Sequence, residues 1–361
     1  MTRIRSNMKR PKTSTRPNAR IRVGVTGLGR IGWEHCRALA GHADFTLVAV
    51  ADPLAERGAE AATKFGCATF LTHNELVAAD LDAVVIASPT HLHRAMALAA
   101  FKRRRHVLLE KPMAVTVTEA RAIALAAKRA KLVLTVYQPH RLMAYHQQIR
   151  QVIAAGKLGQ VYHVKRGAFG WVRRNDWQSL TKFGGGMLAN YGAHFIDQLL
   201  DLTGGDIVNV FCQLRHVAAM GDAEDVVKIV YRTRAGLLGE IEINQASPRS
   251  GYEIEVYGTH GVLWKEGDRL KLRYFRKAEL PAREMETGLA SAGRQYPQDN
   301  ARFYDEEIPI AAVHAVDVYA NLARAIRTGS DPFVKPAETL AVMKLMERCL
   351  QESKGIVETP L

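Results

Sequence analysis

A glycine-rich hexapeptide, Gly27-Leu28-Gly29-Arg30-Ile31-Gly32, separates an apolar run (Ile21 to Thr26) from a helical segment reaching Ala40, and a second apolar run from Phe45 ends at Asp52. This arrangement can hold the diphosphate of a dinucleotide. Gly27 would make the tight turn, Gly29 would let backbone amides approach the ligand, and Gly32 would let the helix close on the strand. The helix N-terminus then presents unpaired amides to the anion. Asp52, 20 residues beyond Gly32, is placed to accept hydrogen bonds from ribose hydroxyls. A carboxylate there favours NAD over NADP because it repels a 2′-phosphate, although Arg30 could reach outward toward one.

Other residues carry groups that move protons or bind hydroxyls. Lys111 directly follows an apolar run and precedes Pro112, which fixes its position at a strand end. Asn190, His194 and Asp197 follow Gly184-Gly185-Gly186 at helical spacing and are expected to share one face. On spacing alone His194 reads either as a packed core histidine or as a base, since imidazole exchanges protons near neutral pH. Gln138 and Arg141, with Trp171, Arg173, Asn175, Asp176 and Trp177, combine apolar rings with polar groups, which suits either a sugar site or a solvent loop. His91 and His93 have no third ligand in sequence range, so no metal is expected.

The elements that must position these groups follow from periodicity. Helix and strand alternate from Ala55 to Val136, with apolar strands at Ala83 to Ala87, His106 to Glu110 and Leu132 to Val136, as a parallel sheet covered on both faces requires. Ligands bind beyond the carboxyl ends of such strands, which brings Thr26, Asp52, Ser88, Lys111 and Gln138 to one crevice. After a helix from His146 to Ala155, strands are expected at Val161 to Phe169, Val208 to Arg215, Val226 to Arg232, Leu237 to Asn244, Tyr252 to Tyr257 and Arg269 to Tyr274. Strands in direct succession indicate antiparallel pairing and a different domain. Lys277 to Pro309 reads as an irregular excursion, and helices are expected at Val313 to Arg327 and Pro336 to Glu352. The fold class is therefore α/β, an N-terminal Rossmann parallel sheet followed by an α+β domain with a large, mostly antiparallel open sheet. The expected divisions are a tail over 1–20, a dinucleotide domain over 21–140 and a second domain over 141–361, with the helix over 336–352 free to pack back on the first.

At 361 residues and 47% hydrophobic content the chain can bury two full cores. Of the formal net charge of +14, half lies in residues 1–20, which contain no acid. Without aromatic-basic interleaving or a binding motif, that charge does not make a nucleic-acid protein. The tail lacks the apolar stretch of a secretory signal and is expected to be disordered. Lys102-Arg103-Arg104-Arg105 reads as a solvated turn. No apolar run is long enough to span a membrane, and the four scattered cysteines suggest a reducing compartment, so a soluble cytoplasmic protein is expected.

The glycine hexapeptide, Pro89 to His93, Glu110-Lys111-Pro112, and Gly184-Gly185-Gly186 followed by His194 and Asp197 occur in the order of the glucose-fructose oxidoreductase and inositol dehydrogenase (Gfo/Idh/MocA) family, which the chain resembles from Ile21 onward. The resemblance implies hydride transfer between NAD and a sugar, polyol or derivative. It adds Ser88, Pro89, Thr90, His93, Glu110 and Lys111 to the cofactor residues, makes His194 the base and Lys111 the stabiliser of the reacting oxygen, and gives Asn190 a substrate contact beside Gln138, Arg141, Asp176 and Trp177. Many members carry aspartate at Asn190, so either altered proton handling or weak dehydrogenase activity is expected here. The open sheet face implies a homodimer or homotetramer. Alternatives are a glycosidase that uses tightly held NAD for transient oxidation and a dinucleotide-sensing regulator without chemistry.

Overall fold

The computed structural model describes residues 19–359, apart from 286, 290, 291, 294, 296–298 and 312–315. The basic tail lies outside the described residues except for Ala19 and Arg20. Contacts divide the chain into two compact units: one holds the described residues through Ala114, Thr118–Tyr137 and Val318–Pro336, and the other holds Val115–Val117, Gln138–Asp317 and Ala337–Leu361.

In the first unit, β1 (Ile21–Thr26), α1 (Arg30–Gly41), β2 (Phe45–Ala51), α2 (Ala55–Phe65), β3 (Ala68–Phe70), α3 (His73–Ala78), β4 (Ala83–Ile86), α4 (His93–Lys102), β5 (His106–Leu109), α5 (Val117–Ala130) and β6 (Leu134–Val136) alternate as expected. All neighbouring strands pair in parallel, in the order β3-β2-β1-β4-β5-β6. The chain reverses its winding between β1 and β4, where sheets of this order hold ligands. Every residue of β4 is buried, as a strand covered on both faces must be. Thr72 starts α3 with a capping box, accepting from the Glu75 amide while Glu75 accepts from the Thr72 amide. Arg105 departs from the expected solvated turn. Its guanidinium donates to the carbonyls of Ala79 (2.7 Å), Val77 (3.2 Å) and Leu81, satisfying acceptors at the end of α3.

In the second unit come α6 (Pro139–Leu142), α7 (Ala144–Ala154), β7 (Val161–Phe169), α8 (Ala193–Thr203), β8 (Ile207–His216), β9 (Val226–Thr233), β10 (Leu238–Asn244), β11 (Ile254–Gly258), β12 (Gly261–Glu266), β13 (Arg269–Tyr274) and β14 (Tyr304–Pro309). Next is α9 (Val318–Thr328), which belongs to the first unit, and then α10 (Pro336–Ser353) and β15 (Ile356–Glu358). The nine strands run β14-β13-β12-β11-β7-β10-β9-β8-β15, antiparallel except for the β7–β10 and β8–β15 pairs. Along β10, Gly239, Ile241 and Ile243 are buried, whereas Leu238, Glu240, Glu242 and Asn244 face outward.

Two further expectations are corrected. Residues 304–309, read as irregular, form β14: its acids lie opposite a basic strand, with Arg273 on Asp305 (2.8 Å) and Arg269 on Glu307 (3.2 Å). Opposite charges across strands stabilise pairing that apolar alternation alone does not reveal. The second correction concerns the C-terminus. The helix expected from Val313 starts at Val318, residues 312–315 lying outside the described set, and it joins the first unit, whereas the last helix stays in the second. Leu322 and Ala323 are buried, and with Val318, Tyr319 and Ile326 they pack on the core of Leu39, Phe45 and Val23.

Gly239 faces Tyr231 across the β9–β10 pair, and a Cβ there would overlap the buried tyrosine ring, whose hydroxyl bonds Thr203 at the end of α8. Replacing Gly239 by alanine should cost roughly 1–3 kcal/mol by overpacking. Urea unfolding measures it; an unchanged midpoint would show that this contact does not constrain the sheet.

Candidate active site

The first unit builds a cradle at the switch point. Gly27 has φ 85°, and a Cβ there would lie 2.6 Å from the Ala87 carbonyl oxygen, while a Cβ at Gly32 would strike the Gly27 carbonyl. Both glycines are demanded by the turn itself. Gly29 differs: its backbone is extended (φ −69°, ψ −175°) and a Cβ would meet nothing within 4 Å. Nothing among the described residues requires a glycine there, whereas a ligand lying against the backbone would. The first turn of α1 has no side-chain cap, as an anion-binding helix start requires. Among the described residues the buried Ser88 Oγ has no hydrogen-bond partner, which a bound polar ligand would supply. These features fit a dinucleotide held by Gly27 to Gly32, Asp52 and Ser88.

Asp52 is 4% exposed. Its Oδ2 accepts from the Leu28 amide (2.7 Å) and its Oδ1 from Leu54 (3.0 Å), so the carboxylate braces the glycine loop as well as offering its remaining lone pairs. His93, expected among the cofactor contacts, is 1% exposed, and its ring nitrogens face the carbonyls of Ser88 (2.9 Å) and Pro112 (3.0 Å). Burial lowers its pKa. It braces the loops of Ser88 and Lys111 from behind. Pro89 precedes a short 3-10 turn that begins at Thr90.

Beside them is a chain of contacts invisible in the sequence. Glu110 Oε2 accepts from the Lys111 amide (3.1 Å), its Oε1 lies 2.9 Å from His35 Nε2, and His35 Nδ1 lies 2.8 Å from the Tyr319 hydroxyl. The Lys111–Pro112 peptide is cis.

In the second unit, the glycine run serves the helix bearing His194. A Cβ at Gly186 would overlap the Glu224 carboxylate, whose Oε1 accepts from the Leu188 amide (2.9 Å) and whose backbone carbonyl accepts from Met187 (3.0 Å). The helix opens with a π-helical turn, Leu188–Gly192, before α8 begins. Such turns recur at functional sites. The uniform spacing expected from Asn190 to Asp197 is interrupted there, and the three residues meet different neighbours. Asn190 donates toward Gln178 (3.4 Å). His194, 8% exposed, places Nδ1 3.1 Å from Gln138 Oε1 and stacks on His140 with centroids 4.3 Å apart. Asp197 is fully buried and bonded by Arg141 Nε (2.8 Å) and Nη2.

Gln138 and Arg141, expected to touch substrate, are 1% and 2% exposed. Gln138 orients His194: Nδ1–H donating to its carbonyl oxygen leaves the neutral ring's lone pair at Nε2. Arg141 also donates to Glu338 (2.5 Å), so its fork is occupied by carboxylates and ties the start of α10 to α8. Desolvation raises the Asp197 pKa to about 6 against the opposing pull of Arg141. Asp176 caps the turn at Gln178 and pairs with Arg174 (2.8 Å), a hydrogen bond that lowers its pKa. That turn presents Trp177, 55% exposed. Sequence reading missed His35, His140, Glu224 and Tyr319, whose partners lie tens to hundreds of residues away.

Burial raises the Glu224 pKa from 4.5 to about 7. An acid whose folded pKa is raised takes up a proton on folding between those values, so its contribution to stability falls as pH rises through that window, by up to about 1.4 kcal/mol per pH unit. Glu224→Gln should flatten the slope of melting temperature between pH 5 and about 7; a slope unchanged from wild type would assign the titration elsewhere.

Residues 21–138 match the family described as an oxidoreductase family with an NAD-binding Rossmann fold, and residues 146–264 match the GFO/IDH/MocA C-terminal domain. The rhizopine catabolism protein MocA of Rhizobium meliloti is 31% identical over 247 residues, 67% of this chain and 77% of its own length. The 1,5-anhydro-D-fructose reductase of Ensifer adhaerens is 29% identical over 308 residues, 82% of this chain and 88% of its own. In fold, an NAD-binding protein from Listeria innocua superposes with a TM-score of 0.78 at 23% identity, covering 93% of this chain and 95% of that one. With the N-terminal and C-terminal domain models of the family both matched and the dinucleotide cradle in place, this protein belongs to the Gfo/Idh/MocA family of NAD(P)-dependent oxidoreductases.

Proposed function

We propose that this oxidoreductase interconverts a hydroxyl and a carbonyl on a sugar, polyol or sugar derivative, with NAD as the preferred cofactor. The observation that carries the reading is the setting of His194, a nearly buried imidazole whose Nδ1 lies 3.1 Å from Gln138 Oε1, an arrangement that favours the tautomer with its lone pair at Nε2. When bound, the nicotinamide supplies the hydride acceptor or donor. His194 takes the hydroxyl proton at Nε2, and the Lys111 ammonium hydrogen-bonds the same oxygen as negative charge develops there. In reduction the His194 imidazolium returns the proton to the carbonyl oxygen while the Lys111 ammonium hydrogen-bonds that oxygen. Asn190 binds a substrate hydroxyl, and Trp177 offers an apolar face to ring C–H groups. The carbohydrate chemistry named for the Ensifer reductase supports the substrate class.

Support for a homodimer or homotetramer comes from the outward face of the large sheet, where Lys165 pairs with Glu255 (2.9 Å) and Lys228 with Glu240 (2.6 Å) and Glu242 (2.7 Å). Such a patterned polar face suits a self-complementary contact. Four buried free thiols are in keeping with a reducing, cytoplasmic setting. Among the described residues no helix is long and apolar enough to cross a membrane.

A panel of hexoses, inositols and their keto forms with NAD(H) and NADP(H), followed by nicotinamide absorbance, tests the activity; net turnover with at least one pair is expected, and none across the panel would refute it. With the active substrate, His194→Ala and Lys111→Ala should each lower kcat by about 10² to 10⁴. Asn190→Ala should mainly raise KM, and Asn190→Asp should shift the pH profile, because a nearby carboxylate favours the imidazolium. Near-normal turnover and an unchanged pH profile in His194→Ala would return that histidine to a packing role.

A further inference from the structure

The short helix α6 meets α8 with three polar side chains, and each has its own partner there. Gln138, just before Pro139 opens α6, places Oε1 3.1 Å from His194 Nδ1, while Arg141 donates to Asp197, three residues beyond His194. Between them His140 lays its ring on that of His194, with centroids 4.3 Å apart and planes within 7° of parallel. The stack is pinned from the backbone as well. The His140 carbonyl accepts from Gln198 Nε2 (2.9 Å), one turn beyond His194, and Gln198 is held in turn by the Tyr145 hydroxyl (2.8 Å) and Arg166 Nε (3.1 Å). Gln138 therefore sets the edge of the His194 ring, and His140 covers its face.

Two imidazoles so placed do not titrate independently, because a proton on one ring sets a positive charge against the other and disfavours a second proton. His194 is buried and His140 half-buried, so as pH falls the first proton goes to His140, the ring nearer to water. The charged groups on the surrounding elements are engaged with one another: Arg141 on α6 with Asp197 on α8 and Glu338 on α10, and Asp201 on α8 with His146 on α7. Arg166 on β7 lies 3.9 Å over the Phe195 ring, which itself lies 6.1 Å from His140, and adds a further positive charge beside the pair. We infer that His140 is a positioning residue for the reaction: it holds the plane of the His194 ring and takes up the first proton of the stacked pair, so that His194 stays neutral, and able to accept a proton, to lower pH than it would alone. This inference rests on the reading of His194 as the base and deepens it.

Nuclear magnetic resonance of the full chain, with histidine labelled by carbon-13 at Cε1, follows the protonation of each ring directly; the two signals are assigned by their loss in His140→Phe and His194→Ala. In His140→Phe, which keeps a stacked ring and removes its proton site, His194 should titrate at least about one pH unit higher than in wild type. Turnover of the substrate found with the sugar and inositol panel should show the same displacement, the acid limb of kcat moving up by about one pH unit in His140→Phe. His140→Ala uncovers the ring face and should lower kcat about ten- to a hundredfold with KM little changed. At high pH His140→Phe should recover most of that loss, which separates alignment of the ring from its protonation. Identical His194 titrations in wild type and His140→Phe would overturn the inference, as would wild-type kcat in His140→Ala. A displaced titration together with near-normal turnover in His194→Ala would bring down the reading of His194 as the base, and with it the part of His140 in the reaction, while the paired titration stood.

Discussion

The close approach of backbone to backbone at the start of α1 is the constraint on which the first unit depends. Gly27 turns the chain with a positive φ at a distance from Ala87 that no side chain could share, and Gly32 packs against the carbonyl of Gly27. That packing brings α1 down onto β1 and β4 and leaves its first amides directed at the end of the strands. Around the same point Asp52 holds the loop through Leu28, and the Thr26 hydroxyl lies 2.8 Å from His73 Nδ1. A turn so tightly determined leaves a ligand one way to lie, with its negative groups at the helix start.

A second principle governs the other unit, where buried charge fixes the helix that carries His194. Arg141 joins Asp197 to Glu338, and His146 joins the same network through Asp201 at 2.8 Å. Removing one member of a buried pair typically costs about 3–5 kcal/mol, because the other charge is left without a partner. Glu224 plays the corresponding part at the N-terminal end, beneath a glycine that makes room for it. Between these two anchors His194 is aligned by Gln138 and stacked on His140. An imidazole held in this way is oriented by its neighbours before any ligand arrives.

Much of this was legible in the residues. Alternating helix and strand, the glycine turn and Asp52 led to the parallel sheet covered on both faces, because each depends on local spacing. What escaped depends on contacts across long separations. The position of α9 could not be read, since an amphipathic stripe shows that a helix is covered and not by what. Strand β14 looked irregular because its pairing comes from acids meeting the bases of β13. Gln138 and Arg141 looked like ligands for substrate because polar residues after a strand commonly are; their burial against His194 and Asp197 makes them supports for those side chains. The roles of Glu110 and His35 needed Tyr319, from 284 residues further along the chain than His35. Among the glycines the structure separates two kinds. Gly27 and Gly32 are needed by the fold, whereas Gly29 has an ordinary backbone and open space beside it.

The space beside Gly29 has a reason only if a dinucleotide lies there, and this makes the position the most direct test of the cofactor site. Calorimetric titration of NADH into wild type and Gly29→Val, with the melting temperature of each recorded alongside, separates fold from ligand. An unaltered melting temperature is expected for the unliganded variant, with a loss of NADH affinity of at least about tenfold, as a branched side chain would stand between the diphosphate and the amides of α1. Equal affinity in the two proteins would contradict a dinucleotide bound at this turn.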